Sequence, residues 1–136
     1  MGFQGCEYFK ADQREGYWEL RMCETSEAAM TQLFAQVEEA LRQGRKGEAL
    51  RLLVDTSATG KALPLDQTAH GRIREILIKT DDQPFWLAVI DPRGAAPALS
   101  VPINRVVDGK LKIAAKGFAE DERATAAEWV AASTPP

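Results

Sequence analysis

The side chains able to do covalent, acid–base or metal chemistry are few in this chain, and they do not cluster. The only histidine is His70, so any Ser–His–Asp acyl-transfer set would have to use it, and no Gly-x-Ser-x-Gly elbow accompanies it. A histidine-rich metal site is excluded by the count alone. His70 falls in the first half of a helical pattern and reads as a solvated or packed helix residue. Asp81 and Asp82 offer carboxylates, but at a helix end, where two anions oppose the dipole, so a solvated turn is the simpler reading. The stretch from Asp55 to Lys61 has Ala58 at its middle and fits neither the P-loop nor the dinucleotide fingerprint. No cofactor, metal or catalytic residue is therefore assigned.

Cys6 and Cys23 are the only cysteines, and their separation does not fit the close pairs of a zinc site. If Asp12 and Tyr17 close a hairpin, the pairing continued outward sets Cys6 opposite Cys23. Two readings are open: a reduced pair of small packing residues, or a redox-sensitive cross-strand disulfide.

The elements that would position these residues are read from hydrophobic period. Glu7–Asp12 and Tyr17–Glu24 read as strands, the second alternating Trp18, Leu20 and Met22 against Tyr17, Glu19, Arg21 and Cys23, with Gly16 in the turn. Thr25 or Ser26 caps a helix carrying Met30, Leu33, Phe34, Val37 and Leu41 on one face, which Gly44 ends. Leu50–Asp55 is an apolar run with one arginine, a buried strand. After the loop from Thr56 to Lys61, Pro64 opens a helix with Ala69, Ile73, Ile76 and Leu77 on one face. Phe85–Ile90, bounded by Pro84 and Pro92, is a central strand. Pro97 and Pro102 interrupt the stretch from Arg93 to Gly109, where a short helix is expected around Leu99–Val107. Leu111–Lys116 is a last strand, Ala119–Ala132 a final helix, and residues 133–136 a frayed tail. Trp18, Trp86 and Trp129 each fall on an apolar face and are expected to pack in the core, with a ligand pocket lined by them as the alternative.

Residues 1–132 thus form one α/β domain: a five-stranded mixed sheet, an antiparallel hairpin and then parallel strands, with about four helices. The length of 136 residues, with 45% hydrophobic and 27% charged side chains, suits one core. No apolar run reaches membrane-spanning length and no secretory signal pattern opens the chain, so a cytoplasmic protein is expected. A net charge of −3 makes nucleic acid an unfavoured partner.

Leu52, Leu53, Val54 and Asp55, the strand Trp86–Ile90, and the closing set Phe118, Ala126, Trp129 and Val130 together resemble the STAS domain superfamily, in particular its SpoIIAA-like group of small bacterial proteins. The resemblance spans nearly the whole chain and rests on packing positions, with the Phe118-to-Trp129 spacing slightly long. It implies helices mainly on one face of the sheet, and a noncatalytic regulatory module that binds a protein partner, such as a kinase or signalling protein. The family's phosphoserine element is Asp-Ser-Ser-Gly; the corresponding stretch here is Asp66, Gln67, Thr68, Ala69. Gln67 accepts no phosphate, which leaves Thr68, Ser57 and Thr59 as phosphoacceptor candidates, although Thr56, Ser57 and Thr59 also suit turn hydrogen bonds. The group's likeness to the CRAL-TRIO lipid-binding fold implies the alternative, a carrier of a small apolar molecule or lipid. Ligands of open α/β sheets bind beyond the carboxyl ends of parallel strands. Asp55, Gly60, Lys61, Asp66, Asp91 and Arg93 are accordingly the candidate ligand- or partner-binding residues.

Overall fold

Strand β1 (Phe9–Arg14) turns through Glu15 and Gly16 into β2 (Tyr17–Met22), then α1 (Glu27–Gln43) and β3 (Leu50–Asp55). The chain continues through α2 (Gln67–Lys79), β4 (Phe85–Asp91), β5 (Asn104–Val107), β6 (Lys110–Ala119) and α3 (Arg123–Ala132). The structure is a computed structural model, and it describes residues 3–43, 49–60, 67–79, 84–91, 104–107 and 110–132. The six strands form one sheet in the order β1-β2-β3-β4-β6-β5. β2, β3, β4 and β6 run parallel, and an antiparallel pair closes each edge.

The α/β class, the N-terminal hairpin and the run of parallel strands agree with the expectation from hydrophobic period. The expected helix around Leu99–Val107 is corrected over 104–107, which form edge strand β5 against β6 with an irregularity between Arg105 and Val106. Residues 99–103 lie outside the described residues. Among the described residues there are three α-helices rather than about four. The backbone of 104–107 pairs with the edge that β6 offers, a pairing that local pattern does not reveal.

Sheet alternation decides what each face carries. Leu52, Val54, Leu87 and Val89 point to one side, where they are buried with Met30, Leu33, Phe34 and Val37 of α1 and Ile73 and Ile76 of α2. Leu53, Trp86, Ala88 and Ile90 point to the other, where Phe118 and α3's Ala126 and Val130 cover them. Two helices thus lie on one face and the third on the opposite face. β4 is apolar on both sides and β3 adds Leu53 to the second, so a single helical layer would leave Leu53, Trp86, Ala88 and Ile90 in water. Trp18 packs edge-on against Phe3 at 5.8 Å, and Trp129 tilts over Phe118 at 6.0 Å.

Capping accounts for α1 as read: Ser26 Oγ accepts the Ala29 N–H at 3.2 Å, the third residue of the helix. In the hairpin, Arg14 faces Tyr17 across the two-residue loop, and Gly16 supplies the left-handed backbone, φ 87°, that the tight loop needs. The register is therefore displaced by two positions from the expected one. Cys23 donates its N–H to the Tyr8 carbonyl at 2.7 Å, so Tyr8 takes the place foreseen for Cys6. Both cysteines are free thiols, Cys6 half-buried and Cys23 exposed. Titration of the unfolded chain with a thiol reagent should count two thiols with or without prior reduction; a count that rises on reduction would restore the disulfide reading.

No helix among the described residues is long and apolar enough to cross a membrane.

Candidate functional site

A cleft of about 630 Å³ opens over the carboxyl ends of β2 and β3, lined by Arg14, Tyr17, Glu19, Arg21, Asp55, Ser57, Ala58 and Arg123. Its floor is the polar face of β2. Tyr17, Glu19 and Arg21 alternate with Trp18, Leu20 and Met22, so when the latter enter the α1–α2 core the former turn toward α3. Arg21 stands beside Asp55 in the β2–β3 ladder, and Arg14 beside Tyr17 in the hairpin. Arg123 arrives from the first turn of α3.

Glu19 organises the charges. Its side chain is only 7% exposed, yet Oε1 lies 3.4 Å from Arg14 Nε and Oε2 2.7 Å from Arg21 Nε, with Arg123 Nη1 3.7 Å from Oε2. A carboxylate taken this far out of water needs such partners. Arg21 is in turn held more firmly protonated, first by its hydrogen bond to Glu19 and then by that residue's charge. Asp55, 5% exposed, is paired with Arg123 and accepts the Ser57 N–H at 2.9 Å. Burial pushes the Asp55 carboxyl up, but hydrogen bonds from the Ser57 side chain and backbone, together with the Arg123 guanidinium, outweigh it and hold the group below the usual aspartate range. The side chains of Arg14, Arg21 and Arg123 remain 42%, 52% and 43% exposed, open to the cleft that they line.

β3 fixes α3 at both ends. Asp55, at the carboxyl end of the strand, ties down Arg123; Arg51, near its start, donates Nη1 to the Val130 carbonyl at 2.7 Å. A cation at the last carbonyls of a helix also suits its dipole, although burial lowers the proton affinity of Arg51. Before α3, a single 3₁₀ turn from Glu120 to Glu122 is closed by the Ala119 N–H donating to Glu122 Oε1 at 2.9 Å. Three acidic residues thus precede the helix and Arg123 opens it.

The turn Ser57–Thr59 forms the rim. Thr56 is buried, and its N–H and Oγ1 both donate to the Ile90 carbonyl, at 3.0 and 2.8 Å, binding the end of β3 to β4. Thr59 donates its N–H and Oγ1 to the Thr56 carbonyl, and Gly60, at φ 68°, returns its N–H to Ser57. Of the residues singled out in sequence, Asp55 and Ser57 come together in the cleft, while Thr59 and Gly60 build the turn behind it. Thr68 is exposed on α2, and Asp91 ends β4, where it pairs with Ala119. Lys61, Asp66 and Arg93 lie outside the described residues, as do Asp81 and Asp82.

Arg14, Tyr17, Glu19, Arg21 and Arg123 were not foreseen in sequence. The strand alternation did mark Tyr17, Glu19 and Arg21 as sharing one face, which reads as a solvated surface until α3 crosses to it. The tryptophans do not line this cleft. Among the described residues, no group of three or more His, Cys, Asp or Glu side chains is placed to hold a metal ion. The chain matches no family model, and no curated protein or solved structure matches it.

Proposed function

We propose that the chain is a noncatalytic, STAS-like regulatory module of the bacterial cytoplasm that binds a protein partner through the cleft over β2 and β3. One observation carries this reading: two buried carboxylates are committed to arginines whose outer edges remain exposed in an open cleft. Such an arrangement suits recognition. A general acid or base working near neutrality needs a proton affinity matched to that pH, whereas Asp55 is held below the usual carboxylate range. Within this reading Ser57, Thr59 and Thr68 are the phosphoacceptor candidates, Thr68 being the exposed one.

The second reading is a small-molecule carrier, favoured by the cleft volume, which lies in the range of ligand sites. An acyl chain does not fit the apolar void that the described residues bound. The apolar void bounded by Leu33, Phe34, Val37, Leu52, Val54, Ile73, Phe85 and Leu87 measures about 20 Å³, room for little more than one water molecule.

Site-specific photo-crosslinking in the source cells tests the protein-partner reading. A benzophenone side chain replacing Ala58, on the cleft wall, should yield a discrete crosslinked protein that disappears when Arg21→Glu is added. The same probe at Ile78, exposed near the far end of α2, should not capture it. Equal capture from both positions, or none from Ala58, would remove the protein-partner reading.

A further inference from the structure

We infer that the cleft is a receptor for one carboxylate group, gripped between the outer edges of Arg14 and Arg21. The inference rests on the binding-module reading and names the chemistry that its site recognises.

Two independent features lead to it. The first is alignment. Each oxygen of buried Glu19 takes one arginine by its Nε, Oε1 from Arg14 and Oε2 from Arg21. A guanidinium held by Nε keeps its terminal nitrogens for another acceptor. Arg21 has no further ion pair among the described residues, and the additional contact of Arg14, to Asp12, is long at 3.9 Å. The guanidiniums are thus oriented by a side chain that is itself packed in place, so little rotamer freedom is lost when a ligand arrives. Planar two-donor edges match the two oxygens of a carboxylate.

The second feature is charge. Arg14, Arg21 and Arg123 against Glu19 and Asp55 leave the lining one positive charge, which Asp12, outside the lining but 3.9 Å from Arg14, offsets in part. One carboxylate neutralises that excess. A phosphate dianion would overshoot it and stand beside two anions that cannot move away. The hydroxyl of Tyr17, in the lining, adds an uncharged donor without altering the balance. The carboxylate has two sources to distinguish, an acidic side chain or C-terminus of a partner protein, or a free organic acid.

Titration of the isotope-labelled protein at fixed ionic strength, monitored by NMR, tests the assignment. The probes are propionate, its uncharged analogue propionamide, and an end-blocked peptide carrying a single glutamate. Propionate should shift the Arg14 and Arg21 Nε–H signals and the Ser57 and Ala58 amides saturably, and propionamide should not. Arg14→Gln and Arg21→Gln should each weaken binding about tenfold or more, near 1.4 kcal/mol, with the amide spectrum of α1 and α2 unchanged. Arg21→Lys, which keeps the charge but not the fork, should remain weakened. A peptide that saturates at lower concentration than propionate points to a protein source, and equal or weaker peptide binding points to a free acid; both support the carboxylate site. Shifts that do not saturate, that propionamide reproduces, or that survive both glutamine variants would overturn it. The two readings fail separately. Crosslinking from Ala58 without carboxylate affinity removes this inference alone, and carboxylate affinity without crosslinking removes only the protein partner.

Discussion

Trp86→Ala is expected to lower the unfolding free energy by about 3–5 kcal/mol, the range for truncating a buried aromatic side chain. Trp86 is 1% exposed at the centre of the smaller core, where, among the described residues, Leu53, Ala88, Ile90, Phe118, Ala126 and Val130 are buried with it. Two of those are alanines and α3 has only ten residues, so little side-chain volume is available to close the space. Loss of the indole should also loosen α3, and with it Arg123 at the cleft. Trp86→Phe separates packing from polarity. The Trp86 indole nitrogen is buried without a hydrogen-bond partner among the described residues, and phenylalanine removes that unsatisfied donor while keeping a ring. Its cost should stay below about 1.5 kcal/mol. Urea denaturation with a global fit of midpoint and slope measures both. A Trp86→Ala loss under about 1 kcal/mol would mean that α3 does not seal this face.

Asp55→Ala should cost roughly 1.5–3 kcal/mol at neutral pH, the scale of hydrogen bonds to a charged group, and should change how stability responds to acid. The carboxylate accepts the Ser57 N–H and pairs with Arg123. Burial opposes its ionisation, but those donors prevail and place its folded proton affinity below that of the unfolded chain. Linkage sets the sign. A depressed carboxylate contributes stability that is present above the unfolded pKa, about 3.9, and that contribution disappears as pH falls through the lower folded value. The native chain should therefore lose stability on acidification in that window, and Asp55→Ala should lose less. Asp55→Asn keeps an acceptor for the Ser57 N–H and should fall between the two at neutral pH. Denaturation midpoints measured between about pH 2 and 7 decide the matter: parallel curves for native and Asp55→Ala would show that the Arg123 pairing contributes nothing to the folded state.

Much of the fold is legible in residue pattern because the signals are local. The period of α1, with Ser26 before it, marked that helix and its cap. The dense apolar run 50–55 marked β3 at its observed limits, and the alternation from Tyr17 onward marked β2. Strand ends set by long-range pairing were less visible. β6 extends to Ala119 because β4 lies alongside it to Asp91, and residues 104–107 become a strand because β6 offers them an edge. The hairpin register likewise depended on which residues closed the loop, and a two-position change moved Cys6 away from Cys23.

Candidate residues after β3 could be named in advance from strand topology alone, since Asp55 ends a parallel strand and Ser57 lies just beyond it. The arginine–carboxylate cluster could not. Its members come from β1, β2, β3 and α3, separated by up to 109 positions between Arg14 and Arg123. Nothing in their spacing distinguishes them from ordinary surface charges. What sequence determined on its own was the inventory: one histidine, two cysteines, a set of amphipathic elements and the order in which they occur. Tertiary structure decided that α3 crosses to the second face of the sheet, because β4 is apolar on both sides and β3 adds Leu53 to the second. That crossing buries Glu19 and Asp55, and the arginines are drawn around them because a carboxylate removed from water must be paired.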